Sequence, residues 1–111
     1  MGPNVADSYV MLAHTLNFVG RPDEALGLIE QAMRLSPFYP DWYLGTAGIS
    51  YRLLGRYEDA IAADHKRLAR NPDNIFSDFR LAANYEKLGR HDQARAHIAT
   101  ALKKYPRAVS D

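Results

Sequence analysis

A Gly-Arg pair that recurs three times constrains the fold of this chain more than any other feature. Gly20, Gly55 and Gly89 each precede an arginine and are spaced by 35 and 34 residues. One residue after each pair come two acidic or amide residues and then an alanine. A second series keeps the same spacing and consists of the prolines Pro37, Pro72 and Pro106. Two independent markers with one period indicate an internal repeat of about 34 residues.

Each repeat is predicted to begin with a helix that ends at the recurring glycine. These first helices are predicted over residues 6–19, 41–54 and 75–88, where apolar residues recur at helical spacing. Glycine suits the end of a helix because it lacks a Cβ and enters the left-handed conformation without strain.

A second helix is predicted to follow in each repeat and to stop before the closing proline. These helices are expected to start near Asp23, Glu58 and Asp92, where acidic side chains suit the positive end of the helix dipole. A proline ring prevents continuation because it has no N–H and clashes with the preceding turn. No stretch of six residues alternates like a half-buried strand. The sequence therefore predicts an all-α fold of three helical hairpins, with six or seven helices.

The composition excludes several classes of protein. The chain has 111 residues, of which 47% are hydrophobic, so it is not a solvated, disordered segment. It has no cysteine, which excludes disulfides, thiolate metal sites and cysteine nucleophiles. Its net charge of +1 gives no reason to expect nucleic acid or an anionic membrane as a partner. No apolar run approaches a membrane span, and the default prediction is a cytoplasmic location.

The period and pattern resemble the tetratricopeptide repeat, whose signature is W-x₂-L-G-x₂-Y, then A-x₃-F, then P. The resemblance implies a right-handed α-solenoid with repeats at residues 6–39, 40–74 and 75–108. Residues 1–5 are then a remnant of a preceding repeat or an artificial start, and residues 109–111 are a tail. The matching residues are Tyr9, Leu12, Ala13, Leu16, Ala25 and Ile29; Leu44, Ala47, Gly48, Tyr51, Ala60 and Asp64; and Asp78, Leu81, Ala82, Tyr85, Ala94 and Ile98.

Repeat two departs from this pattern in its second helix. Asp64 stands where an aromatic residue normally packs, and Arg67 stands where a small residue does. The two are three residues apart and are predicted to pair on one helix face, either as a partly solvated pair or as a polar patch for a partner. The preceding connection carries an aromatic cluster that either packs the joint between repeats or anchors a ligand: Phe38, Tyr39, Trp42 and Tyr43.

The sequence of the middle third of the chain is similar to tetratricopeptide segments that lie C-terminal to class III adenylate or guanylate cyclase domains in bacteria. The passages concerned are Ser36 to Gly45 and Tyr51 to Ile61. This resemblance implies a regulatory or oligomerisation segment of a larger signalling enzyme.

The chain is interpreted as an excised piece of a longer array. Pro3 lies 34 residues before Pro37, in the closing position of a further repeat. Terminal units of a solenoid expose a face that is meant for a neighbour. The end faces are therefore expected to stay partly apolar, with a homodimer through them as one outcome.

The sequence offers no candidate for catalysis, a metal site or a cofactor. No two of the four histidines are three or four residues apart, and no serine lies in a G-x-S-x-G turn. Two basic runs, one around Lys66 and one around Lys103, are interpreted as favourable to the helix dipole at the ends of second helices.

In the tetratricopeptide family the first helices line a concave groove that binds peptides, and the resemblance implies the same here. The two-carboxylate clamp of one family variant is matched only by Arg80, since its other positions carry Val10, His14, Thr46 and Phe76. Trp42 and Phe76 are expected at the border of the groove. The predicted function is a non-catalytic scaffold for a protein or peptide partner. The predicted groove residues are Val10, His14, Asn17, Gly45, Ile49, Arg52, Phe79, Arg80, Ala83 and Glu86.

Overall fold

The computed structural model describes residues 4–110, with residues 107–110 described by their backbone only. This part of the chain forms six α-helices and no strand, which confirms the predicted all-α class. The predicted role of Pro3 lies outside the described residues. The helices are α1 (Val5–Phe18), α2 (Pro22–Leu35), α3 (Trp42–Leu53), α4 (Tyr57–Arg70), α5 (Ile75–Lys87) and α6 (His91–Ser110).

The recurring glycines end the first helix of each hairpin, as predicted. Gly20, Gly55 and Gly89 have φ angles of 82°, 76° and 73°, in the left-handed region. The arginine after each glycine then donates its backbone N–H back into the last turn, as from Arg21 to the Leu16 carbonyl at 2.8 Å. This closing bond brings the second helix back against the first.

The closing prolines do not all end a helix. α2 ends at Leu35 and α4 at Arg70, each two residues before its proline, but α6 continues through Pro106. The expectation that all three second helices stop at the proline was therefore wrong. Pro72 lies among the turn formers Asn71, Asp73 and Asn74, and the Asn74 side chain caps α5 by accepting from the Ser77 N–H at 2.8 Å. No such turn residues surround Pro106, so its ring removes one hydrogen bond without redirecting the chain.

Small residues allow the paired helices to approach closely. Ala13, Ala25 and Ala60 are fully buried. A Cβ added at Gly48 would lie 3.2 Å from Asp64 Oδ2 and 3.8 Å from the Ala60 carbonyl. The core is therefore a row of helix contacts in which a larger side chain would overpack the interface.

Aromatic side chains fill the joint between the first two hairpins. Tyr43 is fully buried, stacks on Tyr39 at 5.7 Å and meets Trp42 edge-on at 4.7 Å between ring centroids. Its hydroxyl donates to Asp7 Oδ1 at 2.5 Å, and burial together with this bond raises the pKa of Tyr43. Phe38, which was expected in the same cluster, is 98% exposed. Of the two interpretations of the cluster, the structure favours the packed joint for these three rings.

Within residues 4–110, no helix is both long enough and apolar enough to cross a membrane.

Candidate functional site

The three first helices are brought side by side and form one surface. α1 packs against α3, where Asn17 donates from Nδ2 to the Thr46 carbonyl at 3.3 Å and accepts from the Ser50 hydroxyl at 2.8 Å. α3 is tied to α5 by a hydrogen bond from Arg52 Nη1 to Asn84 Oδ1 at 3.0 Å. We call the surface formed by α1, α3 and α5 the groove.

Three of the predicted groove residues are buried. Val10 is fully buried, Asn17 is held by α3, and Gly45 is covered by the Arg67 side chain. Asn17 thus faces α3, whereas Gly45 faces the guanidinium groups of Arg67 and Arg80. Phe79 stands at the position of Val10 and Gly45 in the third repeat and is partly exposed, because no following hairpin covers it among the described residues.

The remaining predicted residues lie at or near the surface of the groove. His14 and Glu86 are exposed, while Ile49, Arg52 and Ala83 are partly buried. Glu86 accepts from the His91 ring at 2.5 Å. Arg80 donates hydrogen bonds to Asp64 at the contact between α4 and α5.

The sequence prediction omitted two exposed apolar residues of the same surface. Phe18 and Leu53 are exposed and occupy equivalent positions of repeats one and two, 35 residues apart. Each lies four residues after a predicted groove residue, His14 or Ile49, and therefore on the same helix face. Extending the predicted face by one turn would have identified them.

Asp64 and Arg67 do not pair with each other, so the predicted pairing was wrong. Asp64 is fully buried and accepts from Arg80 Nε at 3.0 Å and Nη2 at 2.9 Å. Arg67 instead donates from Nε to Asp41 Oδ2 at 3.1 Å. Burial raises the pKa of Asp64, although Arg80 and Arg67 oppose the change. The site is thus neither shallow nor partly solvated, because the carboxylate lies inside the joint between hairpins two and three.

A second polar cluster lies beside this pair and was not predicted. The His65 ring meets the Tyr85 hydroxyl at 2.9 Å and lies 5.6 Å from the His97 ring. Asp78 is buried and accepts from Lys104 at 2.7 Å, with the His97 ring 3.2 Å away on its other oxygen. Lys104 therefore has a specific partner, in contrast to the dipole interpretation of its basic run. The described residues hold no group of three His, Asp or Glu side chains that could bind a metal ion.

Family models match most of the sequence. A model described as "Tetratricopeptide repeat" matches residues 10–75, and a second model with the same description matches residues 77–108. No curated protein is similar enough to count as a relative.

Solved structures show the same fold at low sequence identity. The crystal structure of MamA has 23% identity and a TM-score of 0.86, over 96% of this chain and 61% of the MamA chain. PcrH in complex with the chaperone-binding region of PopB has 19% identity and a TM-score of 0.84, over 94% of this chain and 83% of that chain. PcrH from Pseudomonas aeruginosa gives the same identity and TM-score, with 78% of that chain covered. The present chain thus spans under two thirds of MamA.

Proposed function

Because the chain belongs to the tetratricopeptide repeat family, we propose that it is a protein–protein interaction scaffold that binds a peptide segment of its partner in the groove. This proposal assigns no catalytic step to the segment and requires no cofactor. The partner's segment would lie across α1, α3 and α5 and bury apolar side chains against them.

The exposed apolar row along the groove is the observation that supports this proposal. Phe18 is 89% exposed, and Leu53 and Phe76 are also more than half exposed. Ile49 and Ala83 continue the row with partly buried side chains. Exposed apolar side chains on one surface are typical of an interaction site. An amphipathic helix or an apolar extended segment fits it best.

One similar fold has been solved with a bound partner segment. PcrH was crystallised with the chaperone-binding region of PopB, and it shares the fold with this chain at 19% identity. That case supports a peptide as the class of ligand and leaves the sequence of the ligand open.

The test is a selection of binding peptides followed by groove substitutions. A phage-displayed library of random 12-residue peptides is selected on the immobilised protein, and the peptides obtained are synthesised and titrated. Ile49→Asp with Leu53→Asp should reduce their affinity at least about tenfold, because a carboxylate in an apolar contact is left unpaired. Leu35→Asp, at an exposed leucine at the end of α2, is the matched control and should leave the affinity unchanged. Equal loss in both variants, or no selected peptide, would contradict the proposal.

A second candidate role, self-association through the end faces, has its own support. Leu12 is 51% exposed. Ala47 and Leu81, at the same position of repeats two and three, are only 5% and 0% exposed. The outer face of α5 and α6 carries an open depression of about 550 Å³, lined by apolar residues such as Ile98 and Leu102. Sedimentation velocity at increasing concentration tests this role: a reversible dimer supports it, and a strict monomer opposes it.

The narrower alternative remains a prediction from the sequence. A regulatory or oligomerisation segment of a nucleotide cyclase-type enzyme has no counterpart among the family models or solved structures described above. The cytoplasmic location likewise remains a prediction from the sequence. The reading frame of the full-length gene tests the first, and cell fractionation tests the second.

A further inference from the structure

The guanidinium group of Arg67 occupies the space that a side chain at position 45 would fill. Arg67 projects from α4 toward α3, and a Cβ at Gly45 would collide with its Nη1 and lie 3.3 Å from its Cζ. The same Cβ would lie 3.4 Å from Arg80 Nη2 of α5. Two guanidinium groups from different helices therefore meet at Gly45, on the α3 face that also carries Ile49 and Arg52.

Neither arginine uses all of its donors within the protein. The recorded hydrogen bond of Arg67 runs from Nε to Asp41, and those of Arg80 run from Nε and Nη2 to Asp64 and Ser77. The described residues contain no buried side-chain nitrogen without a partner. The amino groups without a hydrogen bond are Nη1 and Nη2 of Arg67 and Nη1 of Arg80. These three groups therefore retain contact with solvent. The Arg67 and Arg80 side chains are 17% and 23% exposed, so most of each side chain is shielded from solvent.

Arg52 is a further cation of the groove, and the exposed Glu86, at the equivalent position of α5, accepts from the His91 ring. Asp41 and Asp64 balance Arg67 and Arg80. Arg52 lies seven residues after Gly45, about 10 Å along α3, and contacts the neutral Asn84. Among the described residues no carboxylate lies within ion-pair distance of Arg52. The unused donors of Arg67 and Arg80 would therefore favour a partner segment that carries negative charge over a neutral or basic one.

We propose that Arg67 and Arg80 form a carboxylate-binding subsite in the floor of the groove, and that it receives an Asp or Glu side chain of the partner's peptide. Arginine suits this task because its planar head donates two parallel hydrogen bonds to a carboxylate. The bidentate contact with Asp64 holds Arg80 in place before the ligand arrives, which lowers the ordering cost of binding. Trp42 and Phe76, one turn before Gly45 and Arg80, supply apolar surface beside the acidic residue.

This subsite differs from the clamp considered in the sequence analysis. That clamp draws its residues from first helices, and only Arg80 of this chain fits it. Arg67 comes from a second helix and reaches the groove only because position 45 is glycine. The inference rests on the proposed function and specifies the ligand chemistry of the same groove.

The test uses the 12-residue peptides selected as above, each paired with a synthetic copy in which Asp and Glu are replaced by Asn and Gln. We expect Asp and Glu to be enriched among selected peptides, and the neutral copies to bind about tenfold more weakly, as for loss of a charge-assisted hydrogen bond. Arg67→Gln should weaken the acidic peptide by a similar factor and leave the neutral copy unchanged. Arg56→Gln, an exposed arginine at the start of α4, is the matched control and should weaken neither peptide.

A second variant keeps the charge of the site. Gly45→Ala forces the Arg67 head out of its place and should weaken the acidic peptide as Arg67→Gln does, with the fold checked by circular dichroism. Equal effects of either variant on the acidic peptide and its neutral copy, or no enrichment of acidic residues, would overturn the subsite while leaving the groove intact. Failure to select any peptide would overturn both the subsite and the proposed function.

Discussion

Gly27 and Gly55 differ in how a glycine affects the stability of this chain. Gly27 lies on the exposed side of α2, and an added Cβ there meets no atom within 4 Å. Gly55 has a φ of 76° at the end of the second hairpin's first helix. Gly27→Ala should raise the free energy of unfolding by about 0.5–1 kcal/mol, because alanine loses less backbone entropy in a helix.

Gly55→Ala should instead lower the free energy of unfolding by about 1–2 kcal/mol, because a Cβ is strained in the left-handed region. Urea denaturation of both variants measures the two effects on one scale. Changes of the same sign in both would contradict the capping role assigned to Gly55.

Asp64 and Asp59 allow the buried ion pair to be compared with an exposed one on the same helix. Asp64→Ala should cost about 3 kcal/mol, since it leaves Arg80 without its partner inside a joint. Asp59→Ala breaks the exposed pair with Arg56 and should cost less than about 1 kcal/mol. Urea denaturation checks both values, and equal costs would show that the Asp64 pair is screened by solvent.

The raised pKa of Asp64 indicates that burial destabilises its charged carboxylate by more than the nearby arginines stabilise it. Replacing both partners, as in Asp64→Leu with Arg80→Met, should therefore recover most of the stability lost in Asp64→Ala. A double variant as unstable as the single one would contradict this reasoning.

At the scale of elements, the packing of α4 against α5 and α6 predicts a dependence of stability on pH. Burial against Tyr85, aided by the nearby His97 ring, lowers the pKa of His65. Below pH about 6.5 the unfolded chain then takes up a proton at His65 before the folded one does. The stability that His65 contributes is present above this pH and is lost as the pH falls.

His65→Gln should therefore reduce the difference in the free energy of unfolding between pH 7.5 and pH 5.5. His14→Gln, at an exposed histidine of α1, is the control and should leave that difference as it is in the parent protein. Urea denaturation at the two pH values provides the comparison, and identical behaviour of both variants would oppose the assigned role of His65.

The helices were predictable from the sequence because their ends are encoded locally. The glycine at each first-helix end and the acidic residues at each second-helix start act within one turn. Pro106 shows the limit of this local information, since a proline ends a helix only where its neighbours form a turn. The partners of Asp64, His65 and Lys104 lie 16 to 26 residues away, on other helices, and a single sequence does not specify those contacts.

At the scale of the whole molecule, the sequence predicted the solenoid of helical hairpins, whereas the groove and its residues remain a prediction. The first helices α1, α3 and α5 lie side by side, with His14 exposed and with Ile49 and Ala83 partly buried. The burial of Val10 and Gly45 was not predicted, because helix periodicity alone does not separate exposed residues of a face from those covered by a neighbouring helix. The contact of Arg67 with Gly45 was not predicted because Arg67 belongs to a second helix.

Binding in the groove is the central claim of this account, and amide chemical shifts test it most directly. A ¹H–¹⁵N correlation spectrum of the labelled protein is recorded with and without a peptide from the displayed library. We predict that the largest shifts fall on α1, α3 and α5, and that they include Ile49 and Leu53. Shifts concentrated on the outer surface of α2 and α4, or confined to α6, would contradict the account.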